Sequence, residues 1–360
     1  MLGNMEMDTD IGLISLKQYM EEQAPEKPYN LLILSHDDPL EPNETAPMIK
    51  KEAEKLGINV FLAELMGCYM EDKGNNKLVY SYPVDTSGRA KLPSTKEDVE
   101  YEKPFEINPD DTLVMIRGLN PRDCCQSWWT MARTLESSGY KIINSVLCNE
   151  ICNDKWYNQQ IFQQNGITTP KTVLVRHKEG APFAADKLGA KYPIILKSSI
   201  GSQGIGVILI ESEKSLHGIS QLLYRENEYI DILLQEQIKT DYDVRVIVVA
   251  GKVLGAMKRP IIEGDFRSNV SQGSEPETHE LTELERQESI KAAEAVGGDI
   301  VGVDFIPAKD REKQFPYFIE VNSAPGLIGI EKTIKGITSE VLKIYMNRDN
   351  WTWLLTTKVV

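Results

Sequence analysis

The stretch from Tyr192 to Leu209 narrows the choice of fold more than any other in this chain of 360 residues. It holds two short aliphatic runs, Ile194 to Leu196 and Val207 to Ile210, separated by Gly201-Ser202-Gln203-Gly204-Ile205-Gly206. Such runs, bounded by glycines, predict two buried strands joined by an open loop. Glycines let backbone N–H groups turn toward an anion, and Lys197 adds a point charge suited to phosphate oxygens. The same stretch also fits a glycine-rich hairpin bearing a surface lysine. It is not a Walker loop, because no Gly-Lys-Ser/Thr opens a helix after it. It is not a dinucleotide fingerprint either, since a strand follows.

Around this hairpin the chain reads as alternating strands and helices. Tyr29 to Ser35, Ile58 to Leu62 and Thr112 to Arg117 are expected strands, with a helix over Ala46 to Leu56. Together they predict an open α/β domain. Leu78 to Leu92 is expected to form a hairpin turning near Asp85, and Pro93 to Asp111 a charged connector with little core. Gln126 to Ser137 is an expected helix. Another starts at Asn153 or Asp154 and runs to Gln164, with Gly166 ending it. Thr282 and Glu285 form a capping box for a helix ending before Gly297.

The length suggests two domains. The boundaries are a tail over 1–27, an N-terminal α/β domain over 28–152, and a second domain over 153–350 with lobes at 153–240 and 241–350. A net charge of −14 argues against nucleic-acid or anionic-membrane partners. No apolar run has the length of a membrane span, and the start lacks a signal-peptide pattern, so a cytoplasmic site is expected. Cys148 and Cys152 share a helical face without a second ligand pair, which favours reduced thiols over zinc.

Late in the chain, Asp304 lies in Val301-Gly302-Val303-Asp304-Phe305, and Glu320 and Asn322 in Phe318-Ile319-Glu320-Val321-Asn322. Residues two apart on a strand share a face, so Glu320 and Asn322 point together, and pairing of the strands would bring in Asp304. Three oxygen donors suit Mg²⁺ shared with a nucleotide; the alternative is a solvated strand face. Arg259 and Arg267 are candidate cations for a transferring phosphoryl group.

In this order, Lys155, Lys197 with its hairpin, Gln235-Glu236-x-Ile238, Asp243-x-Arg245, Gly264 to Asn269, Asp304, Glu320-Val321-Asn322 and Ser323-Ala324-Pro325-Gly326 resemble the ATP-grasp superfamily. Gly264-Asp265-Phe266-Arg267-Ser268-Asn269 and Gly329-Ile330-Glu331-Lys332-Thr333 are similar to RimK-like α-L-glutamate ligases. The resemblance covers about Asn153 to Tyr345. It implies an α+β ATP-grasp fold of two lobes behind an N-terminal Rossmann-like pre-ATP-grasp domain. It implies ATP binding by Lys155, Lys197, Ser202, Gln203, Gly204, Gln235, Glu236, Gln237, Ile238, Asp243, Arg267, Ser268 and Asn269, and metal binding by Asp304, Glu320 and Asn322. The cofactors implied are ATP and two Mg²⁺ ions, with Mn²⁺ able to substitute. The implied enzyme is an ADP-forming carboxylate–amine ligase working through an acyl phosphate. It would add an amino acid, glutamate first, to a protein C-terminus, a peptide or a small molecule, and would form homo-oligomers. The alternative is an ATP-binding regulatory protein of the same fold. Ser202 replaces a common threonine and keeps its hydroxyl. Val270 to Glu275 lacks the basic residue and paired glycines usual in the family, a departure that bears on the substrate.

Overall fold

The computed structural model describes residues 29–35, 44–65, 67–85, 95, 100–117, 126–189, 191–200, 206–261 and 275–347. The expected tail over 1–27 lies outside them.

Four apolar runs form a parallel sheet in the order β2-β1-β6-β7: β1 (Asn30–Ser35), β2 (Asn59–Glu64), β6 (Thr112–Arg117) and β7 (Lys141–Ile143). Strand β6 is buried at every position, as expected of a strand covered on both faces. Leu31 and Ile33 face helix α1 (Thr45–Lys55), while Leu32 and Leu34 face helix α2 (Gln126–Ser137). The expected βαβ rhythm is present.

Of the hairpin expected over Leu78 to Leu92, the first arm lies in a strand, and the turn and second arm, 86–92, lie outside the described residues. A hairpin joins β3 (Cys68–Lys73) to β4 (Asn76–Ser81) at Gly74-Asn75, and β5 (Phe105–Ile107) pairs on its other side. Gly74 has φ +66°, the left-handed conformation that glycine adopts without a steric penalty. Strand β3 is mostly polar and exposed, so no apolar run announces it. The stretch 93–111, expected to hold little core, contributes β5 with Ile107 fully buried.

The next unit begins with α3 (Val146–Asn153) and α4 (Lys155–Gln164). Asp154 caps α4, accepting from Trp156 N at 2.8 Å and Tyr157 N at 3.1 Å. Lobe one is an antiparallel sheet in the order β10-β9-β11-β8: β8 (Thr172–Val175), β9 (Ile194–Ser198), β10 (Val207–Ile210) and β11 (Ile232–Glu236). Helices α5 (Gly180–Leu188) and α6 (Glu213–Glu226) bury Ala181, Leu188, Leu216 and Tyr224 in a core of its own. The expected glycine hairpin is the β9–β10 pair.

Lobe two is a five-stranded antiparallel sheet in the order β14-β13-β12-β15-β16: β12 (Tyr242–Val249), β13 (Lys252–Pro260), β14 (Glu277–Thr278), β15 (Ile300–Ile306) and β16 (Tyr317–Asn322). Alternation along β12 decides what each face does. Val244, Val246 and Val248 pack against α4 and α7 (Glu283–Ala295), whose capping box of Thr282 and Glu285 is formed as expected. On the other face Ile247 and Val249 join a core containing Leu31 and Ile33 of β1, while Asp243 continues that face into a cleft. Helices α8 (Ile328–Thr333) and α9 (Ile337–Met346) complete this shared core with Ile330, Val341 and Tyr345. No described helix is long and apolar enough to cross a membrane.

Candidate active site

Between the two lobes lies a cleft of about 650 Å³. Ile195 and Val207 of lobe one and Ile306 and Ile319 of lobe two give it apolar walls, and Gln235 to Asp243 cross it from one lobe to the other. Gln235 is fixed by its own Nε2, which donates to Thr172 Oγ1 at 2.8 Å. Glu236 uses its carboxylate to accept from Lys171 N at 2.8 Å, an engagement that orients the crossing chain. Beyond β11, neither Gln237 nor Ile238 has its peptide N–H or C=O taken by another backbone group among the described residues. Unpaired peptide edges beside apolar walls suit a planar heterocycle with donors and acceptors on its rim.

From Asp243, which lines the cleft, a row of charges runs across the strands, set by their register. Asp243 stands opposite Arg259, Arg245 opposite Asp304, and Asp304 opposite Glu320. Cross-strand neighbours lie close enough to pair directly. Arg259 holds Asp243 with two bonds of 2.7 Å and reaches Asp304 at 3.0 Å. Arg245 holds Asp304 with bonds of 2.7 and 2.5 Å. Asn322 Nδ2 lies 3.4 Å from both Asp304 Oδ2 and Glu320 Oε1. Burial by itself would pull the Arg259 guanidinium down, but the charges of Asp304 and Asp243 outweigh it and hold its pKa above the usual arginine range. Burial likewise pushes Asp304 up, and the two arginines more than reverse that.

Across the cleft, burial pulls the Lys197 ammonium down to about 8; the Glu320 carboxylate opposes this and the Lys155 charge adds to it. Lys155 opens α4, its N–H bonded to Ser199 O at 2.9 Å. Lys197, Gln235, Glu236, Gln237, Ile238 and Asp243 thus line the cleft. Asp304, Glu320 and Asn322 converge as strand alternation predicts. Arg259, expected to face a phosphoryl group, has its guanidinium engaged by two carboxylates. Ser202, Gln203, Gly204, Arg267, Ser268 and Asn269 lie outside the described residues.

The donor set at Asp304, Glu320 and Asn322 fits a hard divalent ion, being two carboxylates and an amide that all offer oxygen. Asn322 now turns its Nδ2 to the carboxylates, and rotating the amide by half a turn would present its oxygen instead. Cys148 and Cys152 stand 4.0 Å apart, and among the described residues no three of His, Cys, Asp and Glu gather as a further metal site.

Residues 152–344 match the family model of the RimK-like ATP-grasp domain. The chain belongs to the RimK-like ATP-grasp family.

Its relatives include a "Probable alpha-L-glutamate ligase 2" of Pseudoalteromonas atlantica, 34% identical over 82% of this chain and 89% of that protein. A "Probable alpha-L-glutamate ligase" of Psychromonas ingrahamii is 29% identical over 84% of this chain and 92% of the relative. Among solved structures, the macrocyclase MdnC of Microcystis aeruginosa, bound to the precursor peptide MdnA, aligns with a TM-score of 0.61. The alignment has 14% identity and covers 88% of this chain and 99% of that one. The D-alanine–D-alanine ligase of Bacillus anthracis, complexed with ATP, aligns with a TM-score of 0.57 and 18% identity over 91% and 97% of the chains. The likeness places the ATP-grasp fold over the N-terminal sheet as well as the two lobes.

Sequence reasoning passed over two residues that this RimK-like chain places behind the charged row. Arg117 ends β6 and is buried, with Nη2 donating to Pro325 O. Asn144 follows β7; its Nδ2 donates to Ser323 O and Ile300 O, and its Oδ1 accepts from Asp299 N and Ile300 N. The loop that follows Asn322 is therefore held at two carbonyls by the N-terminal sheet. The signal for Arg117 was a charge closing a run of four apolar residues, Leu113 to Ile116. Asn144 carried none.

Proposed function

We propose that this RimK-like protein is an ADP-forming carboxylate–amine ligase. It joins an amino acid, with glutamate the first candidate, to the terminal carboxylate of a peptide or small molecule. The observation that carries this reading is the facing of Lys197 and the peptide edges of Gln237 and Ile238 against the row Asp243–Arg259–Asp304–Arg245. A nucleotide laid across the cleft puts its base at the crossing segment and its phosphates between Lys197 and that row.

In the first step an acceptor carboxylate oxygen attacks the γ-phosphorus, the bond to the β-phosphate oxygen breaks, and ADP leaves with that electron pair. In the second, the amine nitrogen attacks the acyl carbon, the bond to the phosphate oxygen breaks, and the departing inorganic phosphate takes the nitrogen's proton. Negative charge gathers on the transferring group in both steps, so fixed cations contribute most. Arg245, clamped by both oxygens of Asp304, needs no reorganisation when that charge appears. Arg259 acts through Asp243 and Asp304 as a positioning residue. Asp304, Glu320 and Asn322 would hold Mg²⁺, which when bound would offset charge on the β- and γ-phosphates. PsnB, a solved ATP-grasp ligase of the same fold, was complexed with a minimal precursor, Mg and ADP, which supports ATP and magnesium here.

The test is ADP release with Mg²⁺, ATP, an amino acid and a carboxylate acceptor, with product masses recorded. Turnover dependent on one amino acid, with a product heavier by its residue, is the expected result. Tight ATP binding with no ADP released from any combination would make the protein a nucleotide-binding regulator instead.

A further inference from the structure

Arg117 carries a buried charge that no carboxylate among the described residues answers. Its side chain lies in a residue only 3% exposed. Nη2 gives one hydrogen bond, to the carbonyl of Pro325, and Nε is shut away from solvent with no acceptor. Arg245, Arg259 and Arg311 are also enclosed to varying degrees, and each meets at least one carboxylate. Glu64 stands level with Arg117 in the sheet, two strands away, but its carboxylate accepts from Gly67 N at 2.6 Å. A buried guanidinium that meets no carboxylate among the described residues, and whose Nε has no acceptor, is costly to a fold, and an anion arriving from outside would answer it. Burial has already pulled this group down to about 10.

The placement says where that anion comes from. Arg117 is the last residue of β6, at the carboxyl end of the parallel sheet, the edge where open α/β sheets bind ligands. Its carbonyl partner belongs to the loop directly after Asn322. Pro325 packs on Gly302, where a Cβ would lie 2.9 Å from Pro325 Cβ and 3.5 Å from Arg245 Cδ. Arg117 thus stands immediately behind the row proposed to handle the phosphoryl group.

We propose that Arg117 anchors a non-reacting substrate carboxylate, the α-carboxylate of the incoming amino acid. The inference rests on the ligase reading for the identity of the substrate, while the anion site rests on the unpaired guanidinium. Nε and a terminal nitrogen of arginine present parallel donors that match the two oxygens of a carboxylate. Holding that group at the sheet edge leaves the amine free to face the activated acceptor, and it excludes a residue whose α-carboxylate is already an amide. The specificity is therefore for a free amino acid over an amino-acid amide.

Calorimetric binding to the full chain, with Mg²⁺ and a non-hydrolysable ATP analogue present, tests this without turnover. Each proteinogenic amino acid is titrated, and the one that binds is compared with its α-amide. The parent is expected to favour the free acid by about 100-fold, the scale for a bidentate charged pair. Arg117→Met keeps most of the side-chain volume and should erase that preference, and Arg117→Lys should retain part of it; affinity for the analogue, measured alongside, reports separately on the loop that Arg117 holds at Pro325. Thermal unfolding of both variants checks that they are folded. The proposal is overturned if Arg117→Met keeps the preference, if the parent binds acid and amide equally, or if no amino acid binds. Preference lost on substitution in a parent that releases no ADP would uphold the site and sink only the ligase reading. If Arg117→Met does not fold, Arg117→Lys decides by whether its preference falls.

Discussion

At Arg259 two carboxylates depend on one guanidinium. The side chains of Arg259 and Asp304 are each 5% exposed, so neither charge has water to fall back on. Replacing Arg259 by Met leaves Asp243 without the bidentate partner shown and Asp304 with Arg245 alone. The expected loss is about 3 kcal/mol of unfolding free energy, read from denaturant titration. Loss of less than about 1 kcal/mol would mean that the ladder contributes little. Lys197 makes a prediction in pH. Its folded pKa is lowered from 10.5 to about 8, so the fold disfavours the charged form. Stability is thereby reduced below about pH 8, and the deficit is recovered as pH rises toward 10.5. Phosphates beside the ammonium favour its charge and raise its pKa. Metal-free nucleotide binding should then take up nearly one proton at about pH 9 and almost none at about pH 6. Calorimetry in two buffers of different ionisation enthalpy reads that number directly. No uptake at the higher pH would place the phosphates away from Lys197.

Among the elements, β15 shows how one small residue lets a loop reach the site. Gly302 to Ala puts a Cβ 2.9 Å from Pro325 Cβ, so the loop after Asn322 must retreat. Overpacking of this kind costs about 1–3 kcal/mol. Turnover should fall by more than the melting temperature suggests, because Asn322 lies three residues from the obstruction. Steady-state rates beside thermal unfolding separate the two effects. How far the elements could be read in advance follows the same local logic. The β9–β10 hairpin, the capping box at Thr282 and the convergence of Asp304, Glu320 and Asn322 were legible, because alternation and caps are written in neighbouring residues. The hairpin at Gly74 was not, since β3 is polar and its order comes from pairing. Helix α5, small and alanine-rich, gave no periodic signal strong enough to notice. The arginines around Asp304 were hidden for a different reason. Arg245 and Arg259 meet it because β12 pairs with both β13 and β15, and that adjacency is a non-local fact.

For the molecule as a whole, the N-terminal sheet and lobe two share a core between them, in which Leu31 and Ile33 pack with Ile247, Val249 and Val341. A fragment beginning at Ser145 would bare that face, and it should aggregate or melt well below the full chain. A fragment as stable as the parent would show that the boundary expected near residue 152 separates two independent folding units. Lobe one has its own core and joins the rest through 167–171 and 237–241, while Ser199 and Ile200 near its tip bridge to Asp154 and Lys155. Ile194 of β9 pairs with Glu236 beside the tether, and Lys197 lies further out along the strand. The lobe is therefore a lever with a latch. On the proposed reading the base would rest at the pivot and the phosphates toward the far end. Lifting the latch would loosen the triphosphate while barely disturbing the nucleoside, so exchange of ADP for ATP should be governed by the tip and recognition of adenine by the fulcrum.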